Sequence, residues 1–283
     1  MYNVGKQNLD FNSGTTNNSN TSNTIYTSNE AAATSISSPI RNDHSTTIEE
    51  VDLSINSETN NHCQDRFMDE NGNYDYNSLY EIMEKDVERD SKGKRTSERN
   101  YESPEDVIEG LNKMNELYKD FDGFKYYNQL LYDEAYGNST LEQSGCCPTC
   151  LAMILTYLTG KDVLPTDLTD KSAKYLYSNG TDVTGNYFYD LCSDFDVKPT
   201  RLQNWWDPDT ITDALESGKP IILNVGAGNF TASGHYIVLL GFDDNGDVIV
   251  ADPNSVYNST RTYSLDKLIA QTYNTASACW CFE

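Results

Sequence analysis

The stretch "CPTCLAMILTYLTG", residues 147–160, is apolar on nearly every side of the helix it predicts, and that helix ends at Gly160. A helix with no polar face has to be enclosed by the rest of the chain. Whatever this sequence folds into is therefore built around that segment. Its N-terminal mouth reads "SGCCPTC", with Cys146, Cys147 and Cys150 inside five residues.

The elements around it change character along the chain. "SPEDVIEGLNKMNELYKDF" (103–121) has a cap-like Ser103, Pro104 at the first helical position and apolar residues at helical spacing, so it predicts a helix. "GFKYYNQLLYDEAYGN" is aromatic and irregular. "PTDLTDKSAKYLYSNG" (165–180), "TGNYFYDLCSDFD" (184–196) and "DPDTITDALESGK" (207–219) predict further short helices. The period then shifts to that of strands in "PIILNV" (220–225), "HYIVLLGF" (235–242) and "DVIVADP" (247–253). The last two are joined by the hairpin signal "DDNG". "SLDKLIAQTY" (264–273) predicts a helix, and "ASACWCF" (276–282) a closing strand. Helices first and antiparallel strands after make an α+β fold.

Composition divides the 283 residues unevenly. Residues 1–65 are dominated by Asn, Ser and Thr, with too few large apolar side chains to offset the entropy of ordering, and predict a disordered tail. Residues 66–102 predict a polar linker with a short helix. Residues 103–283, about 180 in number, are enough for one core and form the expected folded domain. The net charge is −24, and residues 101–283 carry 27 acidic against 11 basic side chains. With no basic stripe, nucleic acid is not an expected partner. No apolar run approaches the roughly 18–20 residues that would cross a bilayer. Nor does the N-terminus have the basic and apolar regions of a cleavable export signal.

Seven cysteines, two of them adjacent, do not make a disulfide framework. The chain reads as made for a reducing, cytoplasmic setting, or as exported without a cleavable signal. Zinc would need a second pair or histidines at regular spacing beside Cys147 and Cys150. Cys279 and Cys281 are instead C-x-C within a strand, and His44 and His62 fall in the tail segment. Cys150, Cys192, Cys279 and Cys281 read as small core residues. Cys146 differs, because it follows Gly145 at a helix N-terminus, where backbone N–H groups favour a thiolate.

A nucleophilic thiol needs a base, and past residue 62 the sequence holds one histidine, His235, at the start of a strand. The base needs an orienting acceptor. Counting outward from "DDNG" brings Asp252 beside His235, with Asn254 the alternative. An oxyanion needs donors besides the Cys146 amide, and a glutamine side chain is a common one. Gln129 and Gln143 both precede the cysteine. Gln143 is only three residues away, tight for a side chain that must turn back over the thiolate, so Gln129 is preferred.

These segments together resemble a known family. "SGCCPTCLAMILTYLTGK" is similar to the Gly-Cys-Gly-Pro-Thr-x-x-Ala-Met motif of bacterial papain-like cysteine peptidases related to the double-glycine, or bacteriocin-processing, peptidases. "GHYIVLLGFDDNGDVIVADP" resembles their Gly-His…Asp-Pro segment, and "YYNQ…Y…YG" their glutamine lead-in. The resemblance spans about residues 120–283. It implies a papain-like fold, a helical half packed on an antiparallel sheet, with Cys146 as nucleophile, His235 as base, Asp252 as orienting residue and Gln129 at the oxyanion. It also implies a polypeptide substrate and no cofactor or metal. The family has Gly where Cys147 stands, and a side chain there would narrow the cleft or offer a second thiol. The same constellation also serves amidases and acyltransferases, and a catalytically silent module would bind peptides instead.

Overall fold

The structure is a computed structural model and describes residues 62, 65–85, 87–89, 95–176 and 186–283. The Asn/Ser/Thr-rich stretch 1–65 lies outside these residues apart from His62 and Asp65.

The helices of the described residues are α1 (Tyr76–Lys85), α2 (Pro104–Tyr118), α3 (Leu141–Ser144), α4 (Cys146–Thr159), α5 (Thr169–Ala173), α6 (Tyr187–Cys192), α7 (Pro208–Glu216), α8 (Val256–Ser259) and α9 (Leu265–Gln271). Strands β1 (Val87–Arg89) and β2 (Arg95–Arg99) form one hairpin, and β3 (Ala135–Tyr136) and β4 (Ser139–Thr140) another. The main sheet comprises β5 (Pro199–Arg201), β6 (Ile221–Val225), β7 (His235–Phe242), β8 (Val248–Ala251), β9 (Thr262–Tyr263) and β10 (Cys279–Phe282). Its order is β5-β10-β6-β7-β8-β9, with every neighbouring pair antiparallel. The fold is α+β, with a helical half packed against an antiparallel sheet, as the sequence predicts.

The sequence explains where the elements begin and end. Ser103 caps α2 through a reciprocal capping box with Asp106, and Pro104 opens the helix. Gly160 ends α4 in the left-handed conformation at φ 64°, where a side chain would be strained. Alternation along the strands divides the apolar side chains between two faces. Ile222, Val238, Ala251 and Trp280 face the layer that contains α4, while Ile221, Leu239, Val250 and Cys279 face α7 and α9. Cys279 and Cys281 share the second face, and Cys147, Cys150 and Cys192 are buried in the first cluster. Residues 147–156 of α4 are all buried. The helix that had to be enclosed therefore forms the centre of the helical half, against β7.

The β7–β8 hairpin departs from a simple count. Next to the turn Phe242 pairs with Val248 and Gly241 with Ile249, but farther out Leu239 pairs with Val250 and Val238 with Ala251. One residue has been gained on β7, a β-bulge at Leu240. Without it, continued pairing would set Asp252 opposite Val238, on the face away from His235. With it, β8 ends with Ala251 opposite Val238, and Asp252, the next residue, reaches His235. A one-residue slip exchanges the faces of a strand, so the bulge is what lets the hairpin bring these two side chains together. Counting from "DDNG" arrives at the right neighbours but omits this step.

The segment 66–102 differs from expectation. Its short helix exists as α1, yet Phe67, Leu79, Ile82 and Met83 are buried in the same cluster as α2 and α4, so it forms part of the core and not a spacer. The polar residues between these side chains mask an amphipathic helix whose apolar face is a single stripe. His62, assigned by composition to the tail, is buried as well. Its Nδ1 lies 2.6 Å from the Phe124 carbonyl, its amide donates to Asn115, and its carbonyl accepts from the Tyr126 amide at 2.8 Å.

If α1 belongs to the core, Leu79→Ala and Ile82→Ala will each lower unfolding stability by about 2–5 kcal/mol. Urea denaturation of the full chain measures this. A helix in a solvated linker would show no change.

Candidate active site

Cys146 opens α4 directly after Gly145, and its side chain is partly exposed while Cys147 and Cys150 are buried. Gly145 is required by space. A Cβ there would lie 2.4 Å from the Leu141 carbonyl oxygen and 2.8 Å from its Cα, at the junction where α3 gives way to α4. The close turn delivers the thiol to the helix mouth. The Cys150 thiol, one turn on, donates to the Tyr236 carbonyl at 3.3 Å. That bond fixes α4 against the start of β7, and so sets Cys146 next to His235.

His235 is 6% exposed, and its Nε2 lies 2.6 Å from Oδ1 of Asp252. Cys146 lines the same cleft as His235, whose Nδ1 is the ring nitrogen left over by Asp252. Burial alone would lower the His235 pKa. The Asp252 carboxylate, with a smaller contribution from Cys146, outweighs burial and raises it from 6.5 to about 9.

Asp252 is completely buried. A carboxylate in that setting is costly unless its lone pairs are met by donors. Oδ1 also accepts from the Asn254 amide at 2.9 Å, and Oδ2 from the Asn258 side chain at 2.7 Å. The Asp252 backbone is held too: its amide donates to the Ser259 hydroxyl, and its carbonyl accepts from Tyr126. Asn254, the alternative orienting residue, supports Asp252 through its main chain. Sequence reasoning missed Asn258 and Ser259. An "NS" pair six residues beyond an Asp-Pro carries no signal of its own until α8 turns it back.

Gln129 begins a 3-10 turn, Gln129–Leu131, and is buried. Its amide donates to the Pro253 carbonyl at 2.7 Å, tying the turn to the residue after Asp252. Its side-chain Nε2 donates to the Glu142 carbonyl at 2.9 Å and lies 3.4 Å from that of Leu141, while Oε1 is buried without a partner. Gln143 accepts from the Ser139 hydroxyl. A cleft of about 450 Å³ is lined by Cys146, His235, Gln129, Gln143, Asn254 and Thr231, and also by Glu84 and Lys85 of α1. The structure thus gathers three of the four sequence-assigned residues on one cleft, with Asp252 behind the imidazole. The α1 wall was not foreseen.

Cys147 does not narrow this cleft. Its side chain is buried in the core cluster that also holds Tyr187, and burial pushes its thiol pKa well up. Burial raises that of Cys150 likewise. Among the described residues, no group of three or more His, Cys, Asp or Glu side chains is placed to hold a metal, and no helix is long and apolar enough to cross a membrane.

The α+β fold thus places a thiol at a helix mouth and an imidazole at a strand end on one cleft. Residues 121–280, more than half of the chain, match the family described as Peptidase_C39 like, and the chain belongs to that family. Among solved structures it is similar to one described as a C39-like peptidase from Bacillus anthracis, at 18% identity and a TM-score of 0.42, over 56% of this chain and 94% of that one. It is also similar to the peptidase domain of Streptococcus ComA, a bi-functional ABC transporter involved in a quorum sensing pathway, at 17% identity and a TM-score of 0.35, over 50% of this chain and 90% of that one. No curated protein sequence matches.

The raised His235 pKa has a consequence for stability. A basic group whose pKa is higher in the folded state stabilises fully below its unfolded value, here 6.5, and loses that contribution as pH rises through about 9. The stability advantage of the wild-type chain over His235→Gln will therefore narrow between pH 6.5 and 9, by up to about 3 kcal/mol. Urea denaturation across that range checks the sign. An advantage that grew with pH would contradict it.

Proposed function

We propose that the chain is a cysteine peptidase that hydrolyses peptide or isopeptide bonds through Cys146, His235 and Asp252. The observation that carries the reading is the His235 imidazole, bonded to the buried Asp252 carboxylate and lining one cleft with the partly exposed Cys146 thiol. Family membership supports the reaction class.

With His235 already holding the proton, the Cys146 sulfur attacks the scissile carbonyl. A C–S bond forms while the carbonyl π pair moves onto oxygen. The Cys146 amide and the Gln129 side chain stabilise that oxyanion. Gln129 keeps one N–H on the Glu142 carbonyl and turns the other to the oxyanion, in place of its long approach to Leu141. When the tetrahedral adduct collapses, the C–N bond breaks, and His235 donates its proton to the leaving amine. Water then attacks the thioester with His235 as base, releasing a carboxylic acid and the free thiol. Asp252 holds Nε2 of His235 and so keeps Nδ1 directed at the sulfur.

Cys146→Ala is expected to abolish hydrolysis and the stoichiometric alkylation by iodoacetamide that marks a nucleophilic thiol. Cys147→Gly is expected to keep both. Comparing cleaved termini from a proteome treated with each form measures hydrolysis, and the result that would sink the reading is full cleavage by Cys146→Ala. Asp252→Ala will be roughly 10- to 100-fold less damaging to kcat/KM than His235→Ala, because it misorients the base without removing it. On the alkaline side, kcat/KM will fall with a limb near pH 9, as His235 loses the proton that the leaving amine requires.

A further inference from the structure

The turn that begins with Gln129 is held from outside the region that matches the family. Two consecutive carbonyls of this turn accept from two cations of the preceding segment. Lys85, the last residue of α1, donates from Nζ to the Leu130 carbonyl at 2.9 Å. Arg66 donates from Nη1 to the Leu131 carbonyl at 2.5 Å. Both cations are themselves anchored. Lys85 pairs with Glu81 at 2.5 Å and with Glu142 at 3.3 Å. Arg66 pairs with Glu134, and its guanidinium stacks 4.4 Å above the Tyr132 ring.

Glu142 makes this more than a local tie. Its carboxylate meets Lys85, while its backbone carbonyl accepts the Gln129 side chain at 2.9 Å. Lys85 therefore touches both the turn that carries Gln129 and the residue on which the Gln129 amide rests. Burial works against the Lys85 charge, but Glu81 and Glu142 outweigh it and raise its pKa, so it stays a cation at neutral pH. Lys85 also lines the cleft, together with Gln129 and Cys146.

We infer that Lys85 is a positioning residue for the oxyanion donor: by bridging the Leu130 carbonyl and Glu142, it sets where the Gln129 amide points. The inference rests on the proposed reading, in which Gln129 serves the oxyanion. It assigns to α1, which precedes the matched region, a role in the chemistry as well as in the core. Lys85 does not touch the reacting atoms, and its effect reaches them through Gln129.

Two reagents separate this role from a general loss of structure. Acylation of Cys146 by p-nitrophenyl acetate passes through an oxyanion, whereas alkylation by iodoacetamide displaces iodide and forms none. Both rates are measured on the full chain, with the Cys146→Ala background subtracted. Lys85→Met should slow acylation about tenfold, a fraction of what losing an oxyanion donor costs, and leave alkylation within about twofold. Lys85→Arg should restore acylation, since a guanidinium can span the same two acceptors. Gln129→Ala should slow acylation further, and Lys85→Met added to it should have no additional effect. Unchanged acylation in Lys85→Met would overturn the inference. So would equal losses of acylation and alkylation, which would mean a structural role only. A full acylation burst in Cys146→Ala would instead remove the proposed function on which the inference stands.

Discussion

The Asp252 carboxylate is the constraint around which this half of the molecule is arranged. A negative charge with no solvent access is tolerated only when donors surround it. Here the donors come from separate parts of the chain: the imidazole of β7, an amide two residues on and the Asn258 side chain of α8. The main chain around it is secured by Ser259 and Tyr126. The aromatic lead-in has the same logic. Tyr118 and Tyr126 bury their rings in the core and spend their hydroxyls on the carbonyls of Val250 and Asp252. Two tyrosines at this irregular, tyrosine-rich stretch thus act as long donors to carbonyls in and just after β8.

The site draws its parts from three levels of the fold. A forbidden Cβ at Gly145 sets the thiol at the helix mouth. Alternation along a strand, corrected by the bulge at Leu240, sets the imidazole and carboxylate on a common face. A 3-10 turn bonded to Pro253 brings in Gln129. No single element could supply these contacts, which is why the residues are spread over more than a hundred positions.

Much of this was legible in the sequence, for identifiable reasons. The all-round apolar α4, the capping of α2 by Ser103 and the "DDNG" hairpin are local signals whose cause and effect lie within a few residues. His235 was conspicuous because histidine is scarce. What remained hidden depends on distant partners. A bulge leaves no mark in a run such as "HYIVLLGF", because every residue of it is compatible with an unbroken strand. The helix α1 looked like a spacer since only four of its residues are buried. Asn258, Ser259 and Lys85 are ordinary polar residues until folding decides what they face. The Cys147 side chain was expected beside the cleft from its place in the chain, but one step around a helix is about 100°, and that rotation carries it into the core.

The bond from Cys150 to the Tyr236 carbonyl joins the helix of the thiol to the strand of the imidazole. Cys146 and His235 thus stand on two elements that pack against each other. Separating them means shifting a helix buried over ten consecutive residues against the strand it packs on.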